Sequence, residues 1–275
     1  MNTPIFELTG VGKVFAHRQT TLENVSLVVG AGEQIAFIGS NGAGKTTLFR
    51  VLNLTFRPTS GTLRFEGADV ANCRRTDLRR LRRRIGMIYQ QQNLVGWLRV
   101  VHNVLAGHLG RWSTAKALWS LVRPQEVESA VEALARVGLS DKLYARTDTL
   151  SGGQQQRVAV ARLLVQDPDV ILADEPVSSV DPSLAEGIVR LLVDASRTDG
   201  KTLLTNLHSV DLALRFFPRI VAIRQGRVFF DLAPEKVTAE MLGMLYAGAS
   251  ADDTAPLAYE RALSVAGALP PSRHP

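Results

Sequence analysis

Cysteine is almost missing: Cys73 stands alone, which excludes an internal disulfide and fits a reducing compartment. No apolar run approaches the roughly 18 residues that a bilayer-spanning helix needs. The start, Met1-Asn2-Thr3-Pro4, has neither a basic leader nor an apolar stretch behind it, so no secretory signal is read there. Acid is in deficit, with 26 Asp and Glu against 32 Lys and Arg. The resulting charge of +6 invites an anionic partner. Much of it sits in one place, because Arg74 to Arg84 holds seven arginines. Leu78, Leu81 and Ile85 fall at i, i+3 and i+7, which predicts an amphipathic helix with a basic outer face. That face reads as solvated, or as a contact for phospholipid head groups or an acidic protein surface. It has no interleaved aromatic on which bases could stack, so nucleic acid is not expected.

What the chain does have is a phosphate-binding pattern. Gly39-Ser40-Asn41-Gly42-Ala43-Gly44-Lys45-Thr46-Thr47 follows an apolar run, Gln34 to Ile38, that reads as a buried strand. It precedes helical spacing from Thr47 to Leu54. Strand, glycine-rich turn and helix in that order are the context the phosphate loop requires. Glycines let successive amides converge on phosphate oxygens, and the helix start adds its positive dipole end. Lys45 then reaches the β- and γ-phosphates, and the Thr46 hydroxyl ligates Mg²⁺. The expectation is a nucleoside triphosphate, ATP or a relative.

At 275 residues the chain has ample length for a buried core. Strands are expected at Ile5 to Val14 and Leu22 to Val29, joined by a turn around His17-Arg18-Gln19, with Phe15 near the end of the first. Another strand is expected over Gly61 to Glu66, and a further one over Ile85 to Tyr89, ending at Gln90-Gln91-Gln92. From Val95 to about Arg146 the pattern turns helical, with segments at Val100 to Leu109, Ala115 to Val122 and Gln125 to Val137, and reads as an inserted subdomain. Leu150-Ser151-Gly152-Gly153-Gln154 opens a helix, with Ser151 and Gln154 spaced as a capping box. Val170 to Ala173 is a buried parallel strand delivering Asp174 and Glu175 to its C-terminal end, where ligands collect in α/β sheets. A helix is expected from Leu184 to Ala195, a strand from Thr202 to Leu207 ending at His208, and a helix from Val210 to Phe217. A hairpin turning at Gln225-Gly226 and a last helix, Val237 to Tyr246, complete the pattern. The Ala/Pro/Ser/Asp mixture of 247–275 reads as a disordered tail.

The phosphate loop, the glutamine after a strand, Leu-Ser-Gly-Gly-Gln and the apolar strand ending Asp-Glu stand in fixed order. In this the chain resembles the nucleotide-binding subunits of ATP-binding-cassette transporters over Ile5 to Tyr246. A phosphate loop alone would suit GTPases, kinases and motors equally; the Leu150 to Gln154 run separates this family. The resemblance implies an α/β phosphate-loop NTPase core with an antiparallel β subdomain and a helical insert over about 95–165. It implies that Phe15, where the family usually has tyrosine, stacks on adenine. Gln90 helps place Mg²⁺ and the attacking water, and Asp174 binds Mg²⁺. By the same resemblance Glu175 is expected to act as general base on the attacking water, or at least to polarise it, and His208 to contact the γ-phosphate. Asp181 lies on a loop crossing a dimer interface, where Val180 replaces the usual leucine. Ser151, Gly152, Gly153 and Gln154 meet ATP held by a second nucleotide-binding subunit, so a homodimer is expected. The other partners implied are membrane permease subunits, at the cytoplasmic face, and indirectly a solute-binding protein. The groove beside Gln90 and the Val95 to Arg146 helices, with Trp97, Leu98 and Leu109, is the expected permease-docking surface.

A narrower resemblance, to the ATPase subunits of phosphonate importers, rests on Gln90 to Val95, Asn103 to Gly110, Ala173 to Pro182 and Leu207 to Ala213. There the subfamily more often has Arg where His108 stands. The alternatives are a soluble cassette protein acting on ribosomes or DNA, and an interaction module whose hydrolysis is dispensable. The first usually carries two cassettes or a long coiled coil, which this chain lacks. Intact Lys45, Asp174, Glu175 and His208 argue against the second.

Overall fold

The computed structural model describes residues 4–15, 20–177 and 181–247. The expected turn at His17-Arg18-Gln19, residues Ser178 to Val180 and the expected disordered tail from 248 onward lie outside the described residues.

Two sheets meet at the phosphate loop. The smaller is antiparallel. It contains β1 (Phe6–Val14), β2 (Thr20–Val29), β4 (Ser60–Phe65) and the short β5 (Ala68–Asp69), in the order β2-β1-β4-β5. The larger contains β3 (Gln34–Ile38), β6 (Ile85–Ile88), β7 (Val170–Asp174), β8 (Thr202–Asn206), β9 (Arg219–Arg224) and β10 (Arg227–Leu232). Its order is β10-β9-β3-β8-β7-β6, parallel except for the terminal β9–β10 hairpin. Alternation along its strands divides the core in two. Ile35, Phe37, Val170 and Leu172 face a core shared with the antiparallel sheet and the helix α1 (Lys45–Leu52). Ala36, Ile38, Ile171 and Ala173 face the other core. That second core is roofed by α3 (Val100–Leu105), α5 (Val127–Arg136), α6 (Gly152–Gln166), α7 (Pro182–Thr198), α8 (Val210–Phe216) and α9 (Ala239–Tyr246). Two helices complete the set: the basic α2 (Arg75–Arg83) and α4 (Thr114–Val122).

Several elements differ from the sequence expectation for local reasons. The helix after the phosphate loop begins at Lys45 and not Thr47, because Gly44 takes a left-handed N-cap conformation. It stops at Leu52 because Leu54 turns to a positive φ of 57°, and the Thr55 and Phe56 amides fold back onto the Arg50 carbonyl. The expected helix from Val100 to Leu109 is α-helical only to Leu105 and tightens into a 3₁₀ turn over Ala106–Gly110. There a Cβ on Gly107 would lie 2.4 Å from the Arg162 carbonyl oxygen, so the turn is pressed against α6. In the basic helix Leu78 is buried as expected, but Ile85 already belongs to β6.

Buried Asn103 ties the start of the helical segment to its end. Its amide oxygen accepts from the Val95 amide, while its NH₂ donates to the Val95 carbonyl and to Thr147 Oγ1. At the opposite edge of β6, Arg84 donates to both carboxylate oxygens of Glu66 and to Asp169, linking the two sheets.

Candidate active site

The parallel strands β3, β7, β8 and β6 all end at one edge, so the loops that follow them converge there. After β3 comes the phosphate loop. A Cβ on Gly39 would lie 2.1 Å from the Ile223 carbonyl oxygen, so only glycine admits β9 this close. Gly42 has φ +74° with open space where a side chain would stand, leaving a bare backbone cradle. The Gly226 amide braces the loop from outside by donating to the Ala43 carbonyl. Gly44 supplies no side-chain cap to α1, so the first amides of the helix are left to a ligand. The Lys45 ammonium is buried and donates to the Gly39 and Ser40 carbonyls at 2.6 and 2.9 Å.

Next to it, Thr46 Oγ1 lies 3.4 Å from Asp174 Oδ1. Asp174 ends β7 in register with Asn206 of β8, whose amide donates to Oδ1 at 2.7 Å. Burial pushes the Asp174 carboxyl above the ordinary aspartate range; the Asn206 bond opposes that only in part. Glu175 follows with φ +52°, a strained conformation for a residue with a Cβ. Its amide donates to the Asn206 carbonyl, and its carboxylate meets His208 Nε2 at 2.6 Å. The His208 bond, with the Lys45 charge as a lesser aid, holds the Glu175 carboxyl below the usual range despite burial.

Lys45, Thr46, Asp174, Glu175 and His208 are therefore brought into one cluster. A hydroxyl and a buried carboxylate side by side are hard oxygen donors suited to Mg²⁺, which keeps most of its shell for water and phosphate. The residues present fit a Mg²⁺-bound triphosphate.

The other expected residues lie outside this cluster. Gln90 is exposed two residues beyond β6, at the same sheet edge. Phe15 closes β1 and packs edge-on against Phe56 at 5.3 Å, with the Lys13 ammonium over its ring. Ser151 and Gly152 are exposed at the start of α6. The capping box there is complete: Ser151 Oγ accepts from the Gln154 amide, and Gln154 Oε1 accepts from the Ser151 amide. Gly153 faces α7, where an added Cβ would press on Leu184. Asp181 is exposed at the N-cap of α7.

Two residues at this edge were not singled out from the sequence. Asn206 is a polar residue closing an apolar strand, a signal of the same kind as Asp174. Arg162 lies mid-helix in α6 and donates to the Gln92 and Asn93 carbonyls, fixing the segment behind Gln90. Nothing in its spacing announces that.

With this geometry in hand, likeness to known proteins becomes informative. A family model described as ABC transporter matches residues 22–178. A phosphonates import ATP-binding protein of Pseudomonas aeruginosa is 47% identical over 240 residues, covering 87% of this chain and 90% of that protein. One from Lactobacillus acidophilus is 39% identical, covering 92% and 98%. Among solved structures, a dimeric ATP-binding cassette in a post-hydrolysis state with ADP and Pi aligns with a TM-score of 0.72 at 29% identity, covering 83% of this chain and 98% of that one. A cassette from an ABC transporter complex of Clostridium perfringens aligns at 0.75 and 25% identity, covering 90% and 96%. A phosphate loop, an Asp-Glu strand end and Leu-Ser-Gly-Gly-Gln on this two-sheet fold agree with all of these, and the chain belongs to the ABC transporter family, as one of its ATPase subunits.

Proposed function

We propose that the chain energises uptake of a phosphonate or a related phosphorus oxyanion, as the ATP-hydrolysing subunit of an importer. The observation that carries the oxyanion class is the likeness, over most of both chains, to proteins named as phosphonates import ATP-binding proteins. No helix among the described residues is long and apolar enough to cross a membrane. From the likeness to import ATP-binding proteins, the reading is of a subunit docked from the cytoplasmic side onto a separate permease, with ligand choice left to a solute-binding protein.

The residues divide the work as follows. Lys45 exchanges its two carbonyl contacts for β- and γ-phosphate oxygens, and the loop amides close around them. Thr46 and Asp174 would hold Mg²⁺, with Gln90 as a further ligand, and the metal would supply charge neutralisation at the phosphates. Glu175, kept ionised by His208, takes a proton from the attacking water. His208 turns toward the γ-phosphate as that proton moves, and Phe15 offers an aromatic face to adenine. Ser151 to Gln154, at the capped start of α6, grip the nucleotide of a second copy of the chain. The solved dimer of a related cassette supports that arrangement.

The test is genetic. Deleting the gene should abolish growth on a phosphonate or phosphite as sole phosphorus source and spare growth on phosphate. Normal growth on a panel of such compounds, with other uptake systems removed, would refute the oxyanion assignment.

A further inference from the structure

The basic helix α2 does not simply face solvent. Arg79, Arg82 and Arg83 line a cavity of about 360 Å³ closed on its other side by Leu109, Arg111 and Gln166. This cavity lies beside the start of β6, whereas the nucleotide cluster lies where the strands end, about 15 Å away along the sheet. It is a different site.

Its walls are built. Arg82 donates to the Leu54 carbonyl at 2.6 Å and Arg111 to the Gln166 carbonyl at 2.5 Å. The Gln166 amide donates in turn to the carbonyls of Arg83 and Ile85, pinning the end of α6 to the end of α2. The 3₁₀ turn carrying Leu109 is held close by Gly107, which has no room for a side chain, and the Arg83 stem lies against Gly110. Charge is not balanced within it. Asp77, the one acid of α2, reaches Arg80, and Asp167 is shared between Arg111 and Lys201. Among the described residues no acid pairs with Arg79, Arg82 or Arg83. Guanidinium groups present forked donors and no acceptor, a geometry matched to tetrahedral oxyanions.

We infer that this cavity binds a phosphate-type oxyanion, supplied either as a free phosphate or phosphonate or as a phospholipid head group. Two sources share one chemistry here, and the experiment separates them. The full chain, with a non-hydrolysable ATP analogue and Mg²⁺ filling the phosphate loop up to the γ-phosphate position, is titrated with inorganic phosphate by calorimetry at about 0.15 M salt, where long-range attraction is screened. It is also sedimented with phosphatidylcholine vesicles with and without phosphatidylglycerol. Both measurements are repeated on Arg79→Gln/Arg83→Gln and on Arg74→Gln/Arg75→Gln, which removes the same charge from the same helix outside the cavity. The first pair should weaken binding about tenfold or more and the second little, since charge-assisted contacts are lost only in the first. Phosphate binding identifies a soluble ligand; binding to phosphatidylglycerol vesicles alone identifies the head group. Arg79→Gln by itself, at an exposed side chain, repeats the test without disturbing Arg83 against Gly110. If neither probe binds the unmodified chain, or if the two double variants lose affinity equally, the inference is overturned. Either result leaves the ATPase and transport readings untouched, because the phosphate loop is occupied throughout.

Discussion

Glu175 and Asp174 are adjacent, yet their surroundings push them in opposite directions. The His208 bond favours the Glu175 carboxylate, whereas burial disfavours that of Asp174. Glu175→Gln should therefore keep nucleotide affinity and lose roughly 10²–10⁴-fold in turnover, since glutamine keeps the shape but accepts no proton. Steady-state ATP hydrolysis beside a binding titration checks this; near-normal turnover would assign the base to another group. Asp174→Asn tests the second environment. A carboxyl whose folded value is raised loses stability as pH rises through that value, because its ionised form is penalised in the fold. Removing the charge should then raise the melting temperature of the nucleotide-free protein at pH 7 by about 2–4 °C per kcal/mol gained. The difference should close on acidification as Asp174 takes up a proton, and Mg²⁺-dependent hydrolysis should disappear. A lower melting temperature at pH 7 would mean that the carboxylate is better satisfied than its burial implies. This is the usual opposition between a stable site and a working one.

Among the elements, α4 has the least support from the rest of the chain. Leu118, Trp119, Leu121 and Val122 are all exposed, Val122 at 79%, although the helix is capped by Ser113 and its glutamate neighbour Glu126 pairs with Lys116. Trp97, 71% exposed, and Leu109 add to the apolar surface of the same helical region, whereas Leu98 is half-buried. Large apolar side chains left in water on a folded domain mark an interaction surface. Arg162 connects that region to chemistry, since it holds the carbonyls next to Gln90. A permease seated on α4 could thus sense the segment that reports the nucleotide state. Photo-crosslinkers placed at Leu118 and Trp119 should capture permease, and Leu118→Ser/Trp119→Ser should lower transport while leaving stability and basal hydrolysis within about 0.5 kcal/mol and twofold of the parent. Capture only from the β9–β10 edge would place the permease on the opposite side.

For the molecule as a whole, the proposed ATP site is shared between two copies of the chain. Lys45 and Glu175 gather at the sheet edge, Ser151 and Gly152 stand exposed at the head of α6, and Gly153 is half-buried beside Leu184. Gly153→Asp should leave ATP binding intact and abolish hydrolysis by preventing a second copy from closing over the nucleotide. Light scattering with ATP and Mg²⁺ should show dimers for Glu175→Gln and monomers for Glu175→Gln/Gly153→Asp. Dimers in both would move the interface elsewhere. The sequence by itself determined the phosphate loop, the capping box and the Asp-Glu strand end. Each of these is a local pattern of spacing, turn residues and caps, read within a dozen neighbouring positions. It placed element ends less well, because Gly44 starts one helix early and Gly107 tightens another through backbone angles and contacts that spacing does not carry. Only the tertiary structure decided that Asn206 holds both Asp174 and the Glu175 amide, and that Arg162 braces the Gln90 segment. It also turned a basic helix into one wall of a cavity. Those partners lie 32, 70 and 83 residues apart in the chain. They meet through strand register and helix packing, which the fold fixes and no local window contains.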